Sequence, residues 1–281
     1  MLGWPRRRFV RAAGGGLQRG FLACWTLVFL AAPASADPVR VLVVGDSISM
    51  LGDAFVSGAE PSVGWVDQLD SLLGDSFEVV TVACPGTISV DWSVSDPSEL
   101  CFAGGDFEGE VVEGGLLNGR VIPELPAEIA AVLLGINDAM ESFRPPATEA
   151  AVFATAIDEL VGALLDNGAG YVVLMTPPNH GWGPTDARIV EYRAAILEMC
   201  SNGGGVVCGP DLYTLLDRAN HFDGAYEVHP NAAGHTRIAE AMKPLILELP
   251  EPQAWAMGWA ALLTLSLRAT QRRRDALWSS A

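Results

Sequence analysis

The chain has 281 residues, half of them hydrophobic and only 18% charged, which is enough to bury one sizeable core and too apolar for a disordered polymer. Its net charge of −17 is unevenly laid out: residues 1–36 hold five Arg and no acid, residues 250–281 hold four Arg and two acids, and residues 37–249 hold 32 acids against 8 bases. A middle that acidic repels phosphate backbones and anionic polymers, which sets nucleic-acid partners aside.

Residues 1–36 read as an export signal peptide. Arg6, Arg7, Arg8 and Arg11 form a basic front, Phe21 to Ala32 an apolar run, and Ala34-Ser35-Ala36 a small-residue cleavage site, so the mature chain is expected to begin near Asp37. The run is well short of the ~20 residues a spanning helix needs, which argues against an uncleaved anchor. The Arg6–Arg11 stretch also resembles a twin-arginine export motif with Pro5 where Ser or Thr is usual, and the export route stays open.

The middle, residues 37–249, alternates strands and helices. Arg40 to Val44 is a β-branched apolar run that leads through Gly45-Asp46-Ser47 to Trp65, Leu69, Leu72 and Leu73 at helical spacing. Phe77–Val82 and Ile129–Leu134 read as strands, Thr148–Leu165 as a helix, Tyr171–Met175 as a strand, Asp186–Met199 as a helix, Val206–Val207 as a short strand and Asn231–Leu249 as a closing helix. Wholly apolar strands separated by helices imply a parallel sheet covered on both faces, an α/β class whose ligands sit beyond the carboxyl ends of the strands. Residues 91–120, rich in Gly and acids, break the alternation and are expected to form either a surface insertion over the mouth of the site or a disordered loop pinned only by Cys101.

Residues 250–281 follow another logic: Pro250-Glu251-Pro252, an uncharged stretch from Gln253 to Leu267, then Arg268, Arg272, Arg273 and Arg274. Basic residues after an apolar segment hold that end in the cytoplasm. The arrangement resembles the PEP C-terminal sorting signal of Gram-negative bacteria. That resemblance implies an exosortase partner and transient membrane retention, with the domain in the periplasm, at the cell surface or outside the cell. Export also fits the cysteines. With Cys24 removed, Cys84, Cys101, Cys200 and Cys208 remain, and nearness in sequence favours the pairs Cys84–Cys101 and Cys200–Cys208. A zinc site lacks CxxC spacing and nearby paired His, and no metal or cofactor is expected.

Four places beside strand ends carry side chains suited to chemistry. Gly45-Asp46-Ser47 offers a hydroxyl at the sheet edge, although a Ser there also serves as a helix cap. Cys84-Pro85-Gly86-Thr87 offers a glycine N–H, and Gly135-Ile136-Asn137-Asp138 a side-chain amide. His229-Pro230-Asn231 offers an imidazole held just ahead of the last helix. Asp46 and Asp138 read as structural acids that brace their turns. His180 and His221 are further loop candidates, His235 reads as structural, and Trp182, Trp92 and Phe222 are candidate pocket walls.

Taken in order, this Ser, Gly, Asn and His resemble the blocks of the SGNH hydrolases, the GDSL esterase and lipase family, over about residues 39–246. The resemblance implies a flavodoxin-like three-layer α/β/α fold with a five-stranded parallel sheet. It also implies ester hydrolysis through an acyl-serine, with Ser47 as nucleophile, His229 as base, and Gly86, Asn137 and the Ser47 backbone N–H as oxyanion hole. The chain departs from the family at the acid. Three residues before His229 stands Tyr226 in place of Asp. Asp223 is the preferred acid, reaching the ring through a bulged loop. Glu227 is the alternative, expected to be turned to the opposite side of an extended segment, and a backbone carbonyl is a third option. The expected substrate is a small-molecule or carbohydrate ester, with acetyl groups on carbohydrate in view. A lipase, lysophospholipase or acyltransferase on the same scaffold is one alternative, and a catalytically inactive surface-displayed binding protein another.

Overall fold

The computed structural model describes residues 37–50, 63–93, 98–101, 110–142, 144–225 and 227–249. The export signal and the sorting signal read from the sequence lie outside these residues, as does Tyr226. Every element below belongs to the unit Pro38–Ala281.

Seven strands and seven α-helices follow in chain order: β1 (Val39–Gly45), α1 (Trp65–Leu73), β2 (Phe77–Thr81), β3 (Ser98–Cys101), β4 (Glu110–Glu113), β5 (Ala127–Leu133), α2 (Ile136–Glu141), α3 (Pro146–Asp166), β6 (Ala169–Thr176), α4 (Gly183–Ser201), β7 (Val206–Asp211), α5 (Leu212–Leu215), α6 (Arg218–His221) and α7 (Ala232–Glu248). Five strands make a parallel sheet in the order β2-β1-β5-β6-β7, and β3 and β4 form a separate antiparallel pair. This is the three-layer α/β/α arrangement of the SGNH hydrolases.

Burial explains the order. Val41, Leu42, Val43 and Val44 of β1, Ala130 to Leu133 of β5 and Val172 to Met175 of β6 are buried, as strands covered on both faces must be. The outer strands β2 and β7 are only partly buried. Helix α7 packs on α1 and α3 on α4; Trp65, Leu69, Ile238 and Met242 fill the first interface, and Phe153 stacks on Tyr192 in the second. Asn231 caps α7 by accepting from the Gly234 N–H at 3.0 Å.

The segment 91–120 is more than a surface insertion. Trp92, Cys101, Val112, Leu116 and Leu117 lie in the core, so these parts of the segment are packed. Cys101 is bonded to Cys84 just after β2, the first of the two expected disulfides. The second is a correction. Cys200 and Cys208 are free thiols, half-buried and exposed. They interact as thiols, and burial together with the neighbouring Cys208 pushes the Cys200 thiol up to about 12.

The Cys84–Cys101 bridge closes a 17-residue separation, so it restricts the unfolded chain to a useful degree. Replacing both cysteines by Ser should lower the unfolding free energy by about 2–4 kcal/mol in urea titrations. An unchanged value would show that the insertion is held by packing alone.

Candidate active site

Strand register brings the site together. β1 lies between β2 and β5, with Gly45 level with Leu133, and the Cys84 N–H donates to the Gly45 carbonyl at 2.8 Å. The three turns that leave these strands, carrying Ser47, Gly86 and Asn137, therefore emerge side by side at one edge.

Ser47 opens a short 3-10 turn, Ser47–Ser49, because Asp46 caps it: Asp46 Oδ1 accepts from the Ile48 N–H at 3.0 Å. Gly86 has φ of +75°, a conformation that side-chain-bearing residues rarely adopt, and an added Cβ there would meet nothing within 4 Å. Strain and not space therefore selects glycine. Asn137 Nδ2 donates to the Thr87 carbonyl at 2.9 Å, which fixes the amide plane and leaves its second N–H to point elsewhere. The neighbouring Asp138 accepts from the backbone N–H and hydroxyl of Ser89. The turns after β2 and β5 are thus stitched together, with Asp46 and Asp138 as the braces expected of them.

His229 comes from the loop ahead of α7. Its Nε2 stands 2.9 Å from Ser47 Oγ, across 182 residues of sequence, and its Nδ1 stands 3.2 Å from Glu227 Oε1. The same carboxylate oxygen accepts from the backbone N–H groups of Val228 and His229, at 3.0 and 3.2 Å. Partial burial raises the Glu227 pKa, but the hydrogen bonds from His229 and Val228 outweigh it and hold the group below its ordinary value. An ionised Glu227 on Nδ1 selects the tautomer in which Nε2 accepts from the Ser47 hydroxyl.

The preferred acid is therefore corrected. Asp223 is exposed, and its Oδ1 accepts from Asn231 Nδ2 at 3.4 Å; the group on the His229 ring is Glu227. Residues i and i+2 of an extended segment share a face, so the period-two rule already places Glu227 with His229. His235 Nδ1 accepts from the Trp65 N–H, His221 Nδ1 accepts from the Asp217 N–H, and His180 is buried in the loop after β6. Of the three aromatic candidates, Trp92 is core and bonds Thr87 Oγ1 through Nε1, Phe222 is buried, and Trp182 is 51% exposed. A cavity of about 750 Å³, lined by Val90, Thr148, Val152 and Glu159 among others, contains none of the reacting groups. Among the described residues no cluster of His, Cys, Asp and Glu is arranged to hold a metal.

The profile of the GDSL-like Lipase/Acylhydrolase family matches residues 43–237. The chain belongs to that family. It is accordingly an ester-hydrolysing serine hydrolase. No curated protein sequence matches it. Solved structures match the hydrolase in fold at low identity. They include one described as a putative arylesterase from Agrobacterium tumefaciens, 16% identical, covering 75% of this chain and 100% of that one with a TM-score of 0.55. A carbohydrate esterase family 3 protein from Talaromyces cellulolyticus is 17% identical over 75% and 97% of the two chains, with a TM-score of 0.55. A carbohydrate acetylesterase family member from Sinorhizobium meliloti is 16% identical over 74% and 97%, with a TM-score of 0.52.

Burial pushes the Asp46 carboxyl up to about 7 against the hydrogen bond from Ile48, and Asp138 adds to the rise. Burial likewise pushes Asp138 up to about 6 against its bonds from Ser89. A carboxyl whose folded pKa is raised contributes stability that is full below its unfolded pKa and lost as pH climbs through the folded one. The native state should therefore lose stability from this pair between about pH 4 and 7. Because Asn cannot ionise, the unfolding free energy of Asp46→Asn relative to the parent should rise by about 2–4 kcal/mol from pH 4 to pH 8. Equal differences at the two pH values, read by urea unfolding, would contradict this.

Proposed function

We propose that the protein is an exported esterase that removes small acyl groups, acetyl above all, from carbohydrate, using Ser47 as nucleophile, His229 as base and Glu227 as the acid that orients it. The observation that carries this reading is the continuous contact Ser47 Oγ, His229 Nε2, His229 Nδ1 and Glu227 Oε1. His229 takes the Ser47 proton as Oγ attacks the acyl carbon, and the Glu227 carboxylate stabilises the imidazolium. Negative charge on the carbonyl oxygen is met by the N–H groups of Gly86 and Ser47 and by the free N–H of Asn137. His229 then gives its proton to the departing sugar oxygen, leaving the acyl group on Ser47. A water, deprotonated by His229, cleaves that ester and restores the hydroxyl.

Two further features support the details. Trp182 presents an indole to solvent at the start of α4, on the loop that packs against the Glu227 loop, a suitable platform for a sugar ring. The Cys84–Cys101 disulfide suits an oxidising compartment, in keeping with the export signal at 1–36 and the sorting signal at 250–281. In that reading an exosortase acts on the tail and the membrane holds the protein only transiently.

A fluorophosphonate probe should modify Ser47 and leave Ser47→Ala unlabelled. Glu227→Gln should lower kcat about 100–10,000-fold and Asn137→Ala about 100–1,000-fold, whereas Asp223→Asn should stay within about twofold. An inert serine in a folded protein would favour a binding protein instead. On substrates, Trp182→Ala should raise KM for acetylated xylo- or cello-oligosaccharides about 5–10-fold and leave 4-nitrophenyl acetate unaffected. Rates that climb with acyl chain length would point to a lipase.

A further inference from the structure

Glu227 and His229 do not sit on the sheet. They lie on a loop whose ends are tied by an antiparallel bridge between Phe222 and Pro230 and by the Asn231 N–H donating to the His221 carbonyl at 2.8 Å. Between those ties the loop bulges outward: Asp223, Gly224, Ala225 and Glu227 are exposed. A base must keep within hydrogen-bond reach of the hydroxyl it deprotonates, so the ties that hold this exposed loop bear on where the imidazole stands.

Arg218 supplies a tie from the body of the fold. Its guanidinium lies 3.8 Å from the centre of the Phe222 ring. From there Nη2 donates to the Gly224 carbonyl at 2.8 Å, inside the loop, and Nη1 donates to the Asn179 carbonyl at 3.1 Å, in the loop that follows β6. Asn179 is itself fixed, with Nδ2 donating to the carbonyls of Tyr213 and Leu216. The two loops also meet directly. Gly181, at φ +79°, comes so close to Ala225 that an added Cβ would stand 2.7 Å from the Ala225 carbonyl oxygen. The planar fork of an arginine can serve two carbonyls and cover an aromatic face at once, which a lysine cannot.

We propose that Arg218 is a positioning residue: by bridging Asn179 to Gly224 over Phe222 it locks the loop that carries Glu227 and His229 onto the body of the fold, and so keeps the imidazole on Ser47. The middle of the chain has few bases to distribute among 32 acids, and this one lies under the loop of the base. The inference rests on the proposed roles of Ser47, Glu227 and His229, and its test separates the two.

Arg218→Ala should lower kcat for 4-nitrophenyl acetate about 10–100-fold with KM within about twofold, because the reacting groups are misplaced and not removed. Arg218→Lys should recover only a small part of that loss. In the absence of substrate, the His229 ring N–H bonded to Glu227 should give a protected signal in the spectrum of 15N-histidine-labelled parent protein, and this signal should exchange away in Arg218→Ala. Near-UV circular dichroism checks that the variant is folded. If Arg218→Ala fails to fold, Phe222→Leu removes the platform under the guanidinium while keeping the site apolar, and should show the same losses to a smaller degree. A parent-like kcat and a parent-like ring signal in the folded variant would overturn the positioning role while leaving the esterase standing. A parent inert to esters and to fluorophosphonate, with the ring signal still lost in Arg218→Ala, would overturn the enzymatic reading and leave Arg218 as the anchor of the loop.

Discussion

The pairing of β1 with a parallel neighbour on each side is the constraint from which the rest follows. In a parallel sheet every strand ends at the same edge, so the turns after β2, β1 and β5 must leave together. Gly86, Ser47 and Asn137 become neighbours although they are spread over 91 positions. A register slip of one residue in β1 would turn its side chains to the opposite face and move Ser47 off the edge. Gly45 is what makes such a slip costly, because a Cβ at its place would stand 2.5 Å from Ser49 Oγ and 2.9 Å from the Leu133 carbonyl oxygen, so the close packing at the end of β1 also fixes the position of Ser47.

That coupling also explains what the sequence discloses. A strand buried on both faces leaves an uninterrupted apolar run, and the first polar residues after the run mark the sheet edge, so Ser47, Gly86 and Asn137 are found by position. Glu227 lies outside this logic because its loop is not a strand end and is shaped by tertiary ties, the Phe222–Pro230 bridge and the Arg218 fork. The local signal is the two-residue spacing from Glu227 to His229, which puts both on one face of an extended segment and not on opposite ones. The insertion is a similar case. Its Gly and acid content suggests surface, while the sparse apolar residues Val112, Leu116 and Leu117 lie in the core. Nearness in sequence favoured two disulfides equally, yet only Cys84 and Cys101 are joined.

The carboxylates around the site show how environment assigns different tasks to one functional group. Asp46 and Asp138 are buried beside Ser47 and Asn137 in the chain, where their worth lies in accepting backbone N–H groups that fix two turns. Burial raises both, so holding them ionised opposes folding at neutral pH. Glu227 is exposed and takes three N–H donors on one oxygen, which keeps it charged without a comparable penalty. The carboxylate on the His229 ring is thus placed where its own charge is inexpensive, while the two turns are braced by acids whose burial is costly when they are ionised.

The site is therefore assembled from two parts of unequal rigidity. Ser47, Gly86 and Asn137 belong to the sheet edge and can be lost only with the core. His229 and Glu227 belong to a tied loop with exposed backbone, which can open by breaking a few hydrogen bonds while the sheet stays intact. Resistance to global unfolding and competence of the His229–Ser47 contact then respond to different substitutions. Changes in the core alter the first, and changes at the ties of the loop alter the second. In such an arrangement a fully folded protein can hold Ser47 in place beside a misplaced His229, so thermal stability alone does not report whether the two are in contact.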